Sequence, residues 1–266
     1  MTEPNRPRGT LRFEADDPDS VPVRDAATVM LLRDGPDGLE VFMLLRNLKS
    51  DFVGGAYVFP GGGVDEGDGP PGSDEAFRIA AIRESFEEAG LLLATGPDGA
   101  IVSFQDPITA ERFVEHRRAV DSGERSIRDV CAEEGLSPAV DSMVHFSRWV
   151  TPLGAPRRYD TRFLVAHAPP EQVGLHDDRE VVANLWIRPQ DALERHAAGE
   201  FEMIFPTVRS LEDIARFDLA DDVLVDAAAR GPIERIEPTV DVGTGAVLIE
   251  IDGILYDGES GRPHEG

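Results

Sequence analysis

Glu84, Glu87 and Glu88 stand at i, i+3 and i+4 in a run from Glu75 to Leu91 that also carries Arg83, Ser85, Phe86, Ala89 and Gly90. At about 100° per residue, the three glutamates share an arc of about 100° on a helix. Ile79, Ile82, Phe86 and Ala89 project from the other side, where they can bury against a sheet. Like charges at this spacing repel, costing a few tenths of a kcal/mol per pair, roughly. A hard divalent cation between the oxygens would remove that cost. Carboxylate oxygens without His or Cys favour Mg²⁺ or Mn²⁺ over zinc. The alternative is a solvated acidic helix face in a very acidic chain.

The neighbouring residues favour the first reading. Phe59-Pro60-Gly61-Gly62-Gly63 places a flexible turn just before the helix. Glycines there let main-chain carbonyls approach a metal and amides approach phosphate oxygens. Arg83 lies one turn before Glu87 and can orient it through a salt bridge.

These residues resemble the box of the Nudix hydrolases: Gly, five residues, Glu, seven residues, then Arg-Glu-aliphatic-x-Glu-Glu-x-Gly-aliphatic. Glu75, Arg83, Glu84, Glu87, Glu88, Gly90 and Leu91 match that spacing. Ser85 replaces the aliphatic residue, and twelve residues separate Gly62 from Glu75 instead of five. Flanking segments narrow the resemblance to the coenzyme-A and acyl-CoA diphosphatase branch, of the mammalian peroxisomal Nudix-nineteen type. They are 52–62, Trp149 to Gly154 with Arg157 to Phe163, and Glu180 to Trp186. The likeness runs from about Ala26 to Ala192 and leaves the C-terminal third unmatched. Another coenzyme-A signature has Ser and Arg where this chain has Asn47 and Asp51.

The resemblance implies an α/β fold of the α+β kind, an α/β/α sandwich around a mixed sheet. It implies hydrolysis of a nucleoside diphosphate joined to another moiety, with Mg²⁺ or Mn²⁺ as cofactor. Glu84, Glu87, Glu88 and the Gly62 carbonyl would hold the metal, with Arg83 in support. Glu180 is the candidate for a further carboxylate, its alternative being a surface acid within 177–180. Arg157 and Arg158 are candidates for the phosphates, since guanidinium forks suit phosphate oxygens. Gly61 and Gly62 would present amides, and Arg46 is a weaker candidate that could equally be a surface ion-pair partner. Trp149 and Tyr159 could stack on a base or belong to the core. The best substrate expectation is coenzyme A or acyl-CoA. ADP-ribose, dinucleotides and nucleoside triphosphates are the alternatives, as is a non-catalytic nucleotide-sensing module. Retention of every box glutamate favours an enzyme.

The elements that must position these residues are readable from patterning. ATVMLLRD and LEVFMLLR around the 35–38 Gly-Pro-Asp-Gly turn predict a hairpin. A short strand over 56–59 is expected to stop at Pro60 and the glycines. The 65–74 stretch reads as a loop of solvated acids, followed by a helix closed by Gly90. Helices are expected within 108–135, after Pro189, and over 206–218 and 220–229. Strands are expected at 143–150, 161–167 and 181–187, with a closing hairpin around Asp252-Gly253. This gives a flexible lead over 1–20 and a catalytic domain over 21–200 with a helical insertion at about 105–140. Helices and a hairpin over 201–266 would pack on the same domain.

Composition limits the partners. The chain has 266 residues, with 51 acidic against 26 basic side chains and a formal charge of −25. This excludes ordinary nucleic-acid binding, which needs clustered cations. No apolar run approaches the roughly 20 residues that span a bilayer. Cys131 is the single cysteine, so no intrachain disulfide can form. The N-terminus has no apolar signal core and the C-terminus no Ser-Lys-Leu address. A cytoplasmic protein with a small nucleotide-diphosphate substrate is expected, and the resemblance allows a homodimer.

Overall fold

The computed structural model describes residues 20–48, 54–174, 181–241, 248–251 and 253–257. In chain order, the strands are β1 (Val23–Gly35), β2 (Gly38–Arg46), β3 (Tyr57–Val58), β4 (Gly61–Gly63), β5 (Ala94–Thr95) and β6 (Ser137–Pro138). They continue with β7 (Val144–Val150), β8 (Arg158–His167), β9 (Val181–Ile187), β10 (Arg235–Ile236), β11 (Thr239–Asp241), β12 (Leu248–Ile251) and β13 (Ile254–Asp257). The helices are α1 (Asp74–Ala89), α2 (Pro107–Asp121), α3 (Ile127–Glu133), α4 (Pro189–Ala197), α5 (Phe205–Ile214) and α6 (Ala220–Ala229).

Side chains alternate along a strand, and β1 is apolar on both faces. Ala27, Val29 and Leu31 enter one buried cluster, while Met30 and Leu32 enter the other. A strand buried on both sides needs a layer of helices on each. The first cluster is closed by α1, α2 and α3, through Ile79, Ile82, Phe86, Phe113 and Val130. The second is closed by α4, α5 and α6, through Ala192, Val208, Leu211 and Val223. The result is the expected sandwich with a mixed sheet.

The sheet runs β10-β7-β8-β1-β2-β3, with β4 on β1 and β9 on β2. β1 and β8 are parallel over ten registered pairs, from Val23 with Arg158 to Leu32 with His167. That pairing extends both strands beyond the expected bounds, which began at Ala26 and Thr161. Arg158 is therefore a strand residue. The predicted hairpin joins β1 to β2 with Gly35 opposite Gly38, and Gly38 takes φ +114°.

β1 and β2 separate beyond this hairpin, and the 57–63 segment fills the fork. β3 pairs with β2 through Leu44 and Val58, while β4 pairs with β1 through Ala27 and Gly62. The glycines thus extend the sheet instead of ending it. Lacking side chains, they let the strand pass beneath α1.

α1 begins where the Ser73 side chain accepts from the Ala76 amide at 3.2 Å. It ends at Gly90, in the left-handed region with φ +69°, whose amide donates to the Phe86 carbonyl. Ser85, which stands where the motif has an aliphatic residue, is fully buried and donates to the Leu91 carbonyl at 2.9 Å. Its hydroxyl thereby ties the last turn of α1 to the chain just beyond the Gly90 cap. Cys131 is buried in the same layer, and burial pushes its thiol up to about 11. The closing hairpin is present as β12 and β13; Asp252 at its tip lies outside the described residues, as do residues 1–19.

Candidate active site

The fork in the sheet places β4 directly under the glutamate face of α1. The Gly61 amide donates to Glu88 Oε2 at 3.0 Å. A side chain at Gly62 would occupy the space of the Glu84 carboxylate, so β4 is a cradle cut to that carboxylate. The Gly62 backbone and the three glutamates thus form one oxygen-rich edge.

Arg83 organises this edge. Its Nη1 donates to Glu84 Oε1 at 2.8 Å and to Glu87 Oε2 at 3.0 Å. Its Nη2 donates to the Gly63 carbonyl at 2.6 Å. Nε and Nη2 together grip both oxygens of Asp68, each at 3.0 Å. Burial works against the Arg83 charge, but the Asp68 bonds and the charges of Glu84 and Glu87 outweigh it and raise its pKa. Burial pushes the Glu87 carboxyl up to about 7; Arg83 opposes the shift, while Glu84 and Asp121 add to it.

One guanidinium therefore faces Asp68, Glu84 and Glu87, leaving the site with excess negative charge. Among the described residues, no three acidic, histidine or cysteine side chains already form a metal cage. Arg83 draws Glu84 and Glu87, while the Gly61 amide draws Glu88. The donor chemistry still fits a hard divalent cation, being all oxygen, anionic and short of counter-charge.

Asp68 was not foreseen. It falls in the stretch expected to hold solvated acids, yet it is 2% exposed and closes its own turn by accepting from the Asp65 amide at 2.8 Å. Sequence offers little to single it out among neighbouring acids. Glu75 is turned away from the cluster and pairs with Arg128 of α3 at 2.7 Å.

The arginine candidates are not gathered at the glutamates in the same way. Arg158 is buried, donates to the Thr151 carbonyl at 3.1 Å, and pairs with Glu237. On β1 its register partner is Val23, four residues from the Ala27 that pairs with Gly62. It ties β8 to the C-terminal segment, because a buried guanidinium takes the nearest carboxylate. Arg157 is exposed just ahead of β8. Arg46 ends β2 at the open side of the fork, where its amide donates to the Ala56 carbonyl at 3.0 Å. Glu180 lies outside the described residues. Asp160 is a buried acceptor for Arg148, at 2.8 Å twice, and for Arg235 at 3.2 Å. Trp149 is core, edge-on to Phe205 at 5.8 Å. It also lines a cavity of about 790 Å³ with Phe146 and Tyr256, on the sheet face opposite α1.

The cradle gives one direct prediction. Gly62→Ala should displace the Glu84 carboxylate and lower turnover by about 10²-fold, the scale of an ångström-sized misplacement. Kinetics and a thermal melt of the variant check this. Full activity with an unchanged melt would show that the close approach is not needed.

A mixed sheet between two helical layers, with Arg83, Glu84, Glu87 and Glu88 over a Gly61–Gly63 strand, defines a Nudix hydrolase, an enzyme that cleaves diphosphate bonds. The family profile described as "NUDT19 Nudix domain" matches residues 68–214, more than half of the chain, and the chain belongs to that family. It is 28% identical to a Gallus gallus protein named acyl-coenzyme A diphosphatase NUDT19, over 75% of this chain and 70% of that one. The Homo sapiens protein of the same name is 25% identical, over 83% and 71% respectively. Among solved structures, a NUDIX hydrolase from Alicyclobacillus acidocaldarius superposes with a TM-score of 0.69 at 25% identity. That match covers 80% of this chain and all of that one. No helix among the described residues is long and apolar enough to cross a membrane.

Proposed function

We propose that this chain is a divalent-metal-dependent diphosphatase of coenzyme A or acyl-CoA, releasing 3′,5′-ADP and 4′-phosphopantetheine or its acyl form. The observation that carries the chemistry is the complete set Glu84, Glu87 and Glu88 held over the Gly61–Gly63 strand by Arg83. The names of the chicken and human relatives support the substrate class.

Glu84, Glu87, Glu88 and the Gly62 carbonyl would hold Mg²⁺ or Mn²⁺. Bound there, the cation would offset phosphoryl charge and acidify water. The Arg83 guanidinium fixes the rotamers of Glu84 and Glu87, so their oxygens are positioned before substrate arrives. The Gly61 amide fixes Glu88 in the same way. Glu180 remains a candidate base for the attacking water, and Arg46 and Arg157 remain candidates for the substrate phosphates. Residues 21–200 form the catalytic domain in this reading, with 105–140 inserted and 201–266 packed on it. The protein acts in the cytoplasm, and a homodimer is compatible with the family.

Incubation with coenzyme A and Mg²⁺, followed by chromatography, should show both products. A panel containing ADP-ribose, a dinucleotide and a nucleoside triphosphate tests the choice of substrate. Higher kcat/KM on any of these would overturn the coenzyme-A assignment while leaving diphosphate cleavage intact.

A further inference from the structure

Helix α3 is seated against α1 by Ile127, Val130 and Cys131, all buried in the cluster that α1 closes. Its first turn is fixed by Ser126, whose side chain accepts from the Asp129 amide at 3.1 Å. Arg128 stands between these anchors and reaches outward. Its Nη2 carries two hydrogens and donates to two acceptors, the Asp68 carbonyl at 3.0 Å and Glu75 Oε1 at 2.7 Å. One nitrogen thus joins the first turn of α1, which holds Glu75, to the turn that carries Asp68.

That turn is tight. The Asp68 amide donates to the Asp65 carbonyl at 3.0 Å, and the Asp65 amide returns a bond to Asp68 Oδ2 at 2.8 Å. Gly69 follows at φ +151°, where an added Cβ would lie 3.4 Å from Ala76 of α1. In a turn with so little freedom, the carboxylate goes where its own peptide is placed. Holding the Asp68 carbonyl therefore holds the two oxygens that grip Arg83, and Arg83 holds Glu84 and Glu87. The ion pair with Glu75 is largely exposed, and such pairs add little to stability. The bond from Arg128 to the Asp68 backbone is the contact with a consequence for the site.

We propose that Arg128 is a positioning residue for diphosphate cleavage, acting from α3 through Asp68 and Arg83 on the glutamates. The inference rests on reading the Arg83-held glutamates as the reacting edge. It makes α3 part of the frame that sets Arg83, although α3 supplies no group to the reaction.

The test combines kinetics with amide hydrogen exchange on the full chain. Turnover is read with Mg²⁺ on whichever member of the substrate panel the wild-type chain cleaves fastest. Arg128→Gln should lower kcat about 10-fold with little change in KM, the scale for groups that orient a site from one layer out. Exchange at the Asp65 and Asp68 amides should quicken, while amides within α3 keep their protection. Arg128→Lys keeps a donor for the carbonyl and should recover most of the turnover. Arg112→Gln, which breaks a two-point pair with Glu134 between α2 and α3, should change neither readout. In an Asp68→Asn background, Arg128→Gln should cost little further, because both act on one path. An equal cost in both backgrounds would overturn the path through Asp68. Wild-type kcat in Arg128→Gln beside a slowed Arg83→Met would overturn the role of Arg128 and leave the reacting edge standing. Wild-type kcat in Arg83→Met as well would overturn that edge, and this inference with it.

Discussion

Replacing Glu87 with glutamine should lower kcat by about 10²–10³-fold without unfolding the protein, the scale found when one pre-positioned electrostatic group is removed. The amide nearly matches the carboxylate in shape, but it surrenders an anionic oxygen at an edge built to attract a cation. The same variant should change how stability depends on pH. In the wild-type chain, burial, Glu84 and Asp121 push the Glu87 carboxyl up to about 7 against the opposing effect of Arg83, from an ordinary value of 4.5. A raised pKa means that the folded state holds its proton more tightly than the unfolded chain. The resulting stability is fully present below about pH 4.5 and is lost as pH rises through about 7. Chelator-treated wild-type protein should therefore melt lower at pH 8 than at pH 5, and Glu87→Gln should show less of this decline. Mg²⁺ should offset the decline in wild type, because the cation replaces the proton. Parallel melting curves for the two proteins across that range would sink the argument.

The glutamate helix was legible because its spacing meets two demands at once. Apolar residues at 79, 82, 86 and 89 require one buried face, and acids at 84, 87 and 88 require another environment on the opposite face. An apolar face opposite a charged one is common in surface helices; the like-charge crowding at i, i+3 and i+4, with Arg83 and the glycine turn beside it, is what makes this pattern informative. The layers were expected from the resemblance and from strands interleaved with helices; the structure adds the reason, since β1 is buried on both faces and such a strand must be covered twice.

What sequence did not disclose depends on partners far away in the chain. Asp68 resembles Asp65 and Glu66 in composition, but only Asp68 meets Arg83 with two oxygens. Arg158 reads as a phosphate ligand until the C-terminal segment returns with Glu237. The glycines at 61–63 suggest a strand end, because the fork between β1 and β2 that accepts them exists only in three dimensions. The insertion reads as two helices, and nothing within it says that Arg117 meets the Glu87 carbonyl of α1. In each case the local chemistry was visible, but the topology that gives it a partner was not.

Arg83→Met should destabilise the protein by roughly 3–5 kcal/mol, as expected when one member of a buried ion pair is removed. For a chain of this size that is a drop of about 10 °C in Tm. The reason is Asp68, whose buried carboxylate loses a two-point partner and cannot reach water. Glu84 and Glu87 lose the donor that fixes them, so turnover should fall as well. The two losses are separable, because they reside in different carboxylates. Adding Asp68→Asn to Arg83→Met removes the uncompensated buried charge and should recover about half of the lost stability, a coupling expected of side chains in direct contact. It should recover none of the activity, since Glu84 and Glu87 remain unheld. Thermal melts and kcat for both single variants and the double variant complete the cycle. If stability losses were additive, Asp68 would not be the buried partner of Arg83; if activity returned with stability, Arg83 would serve only the fold.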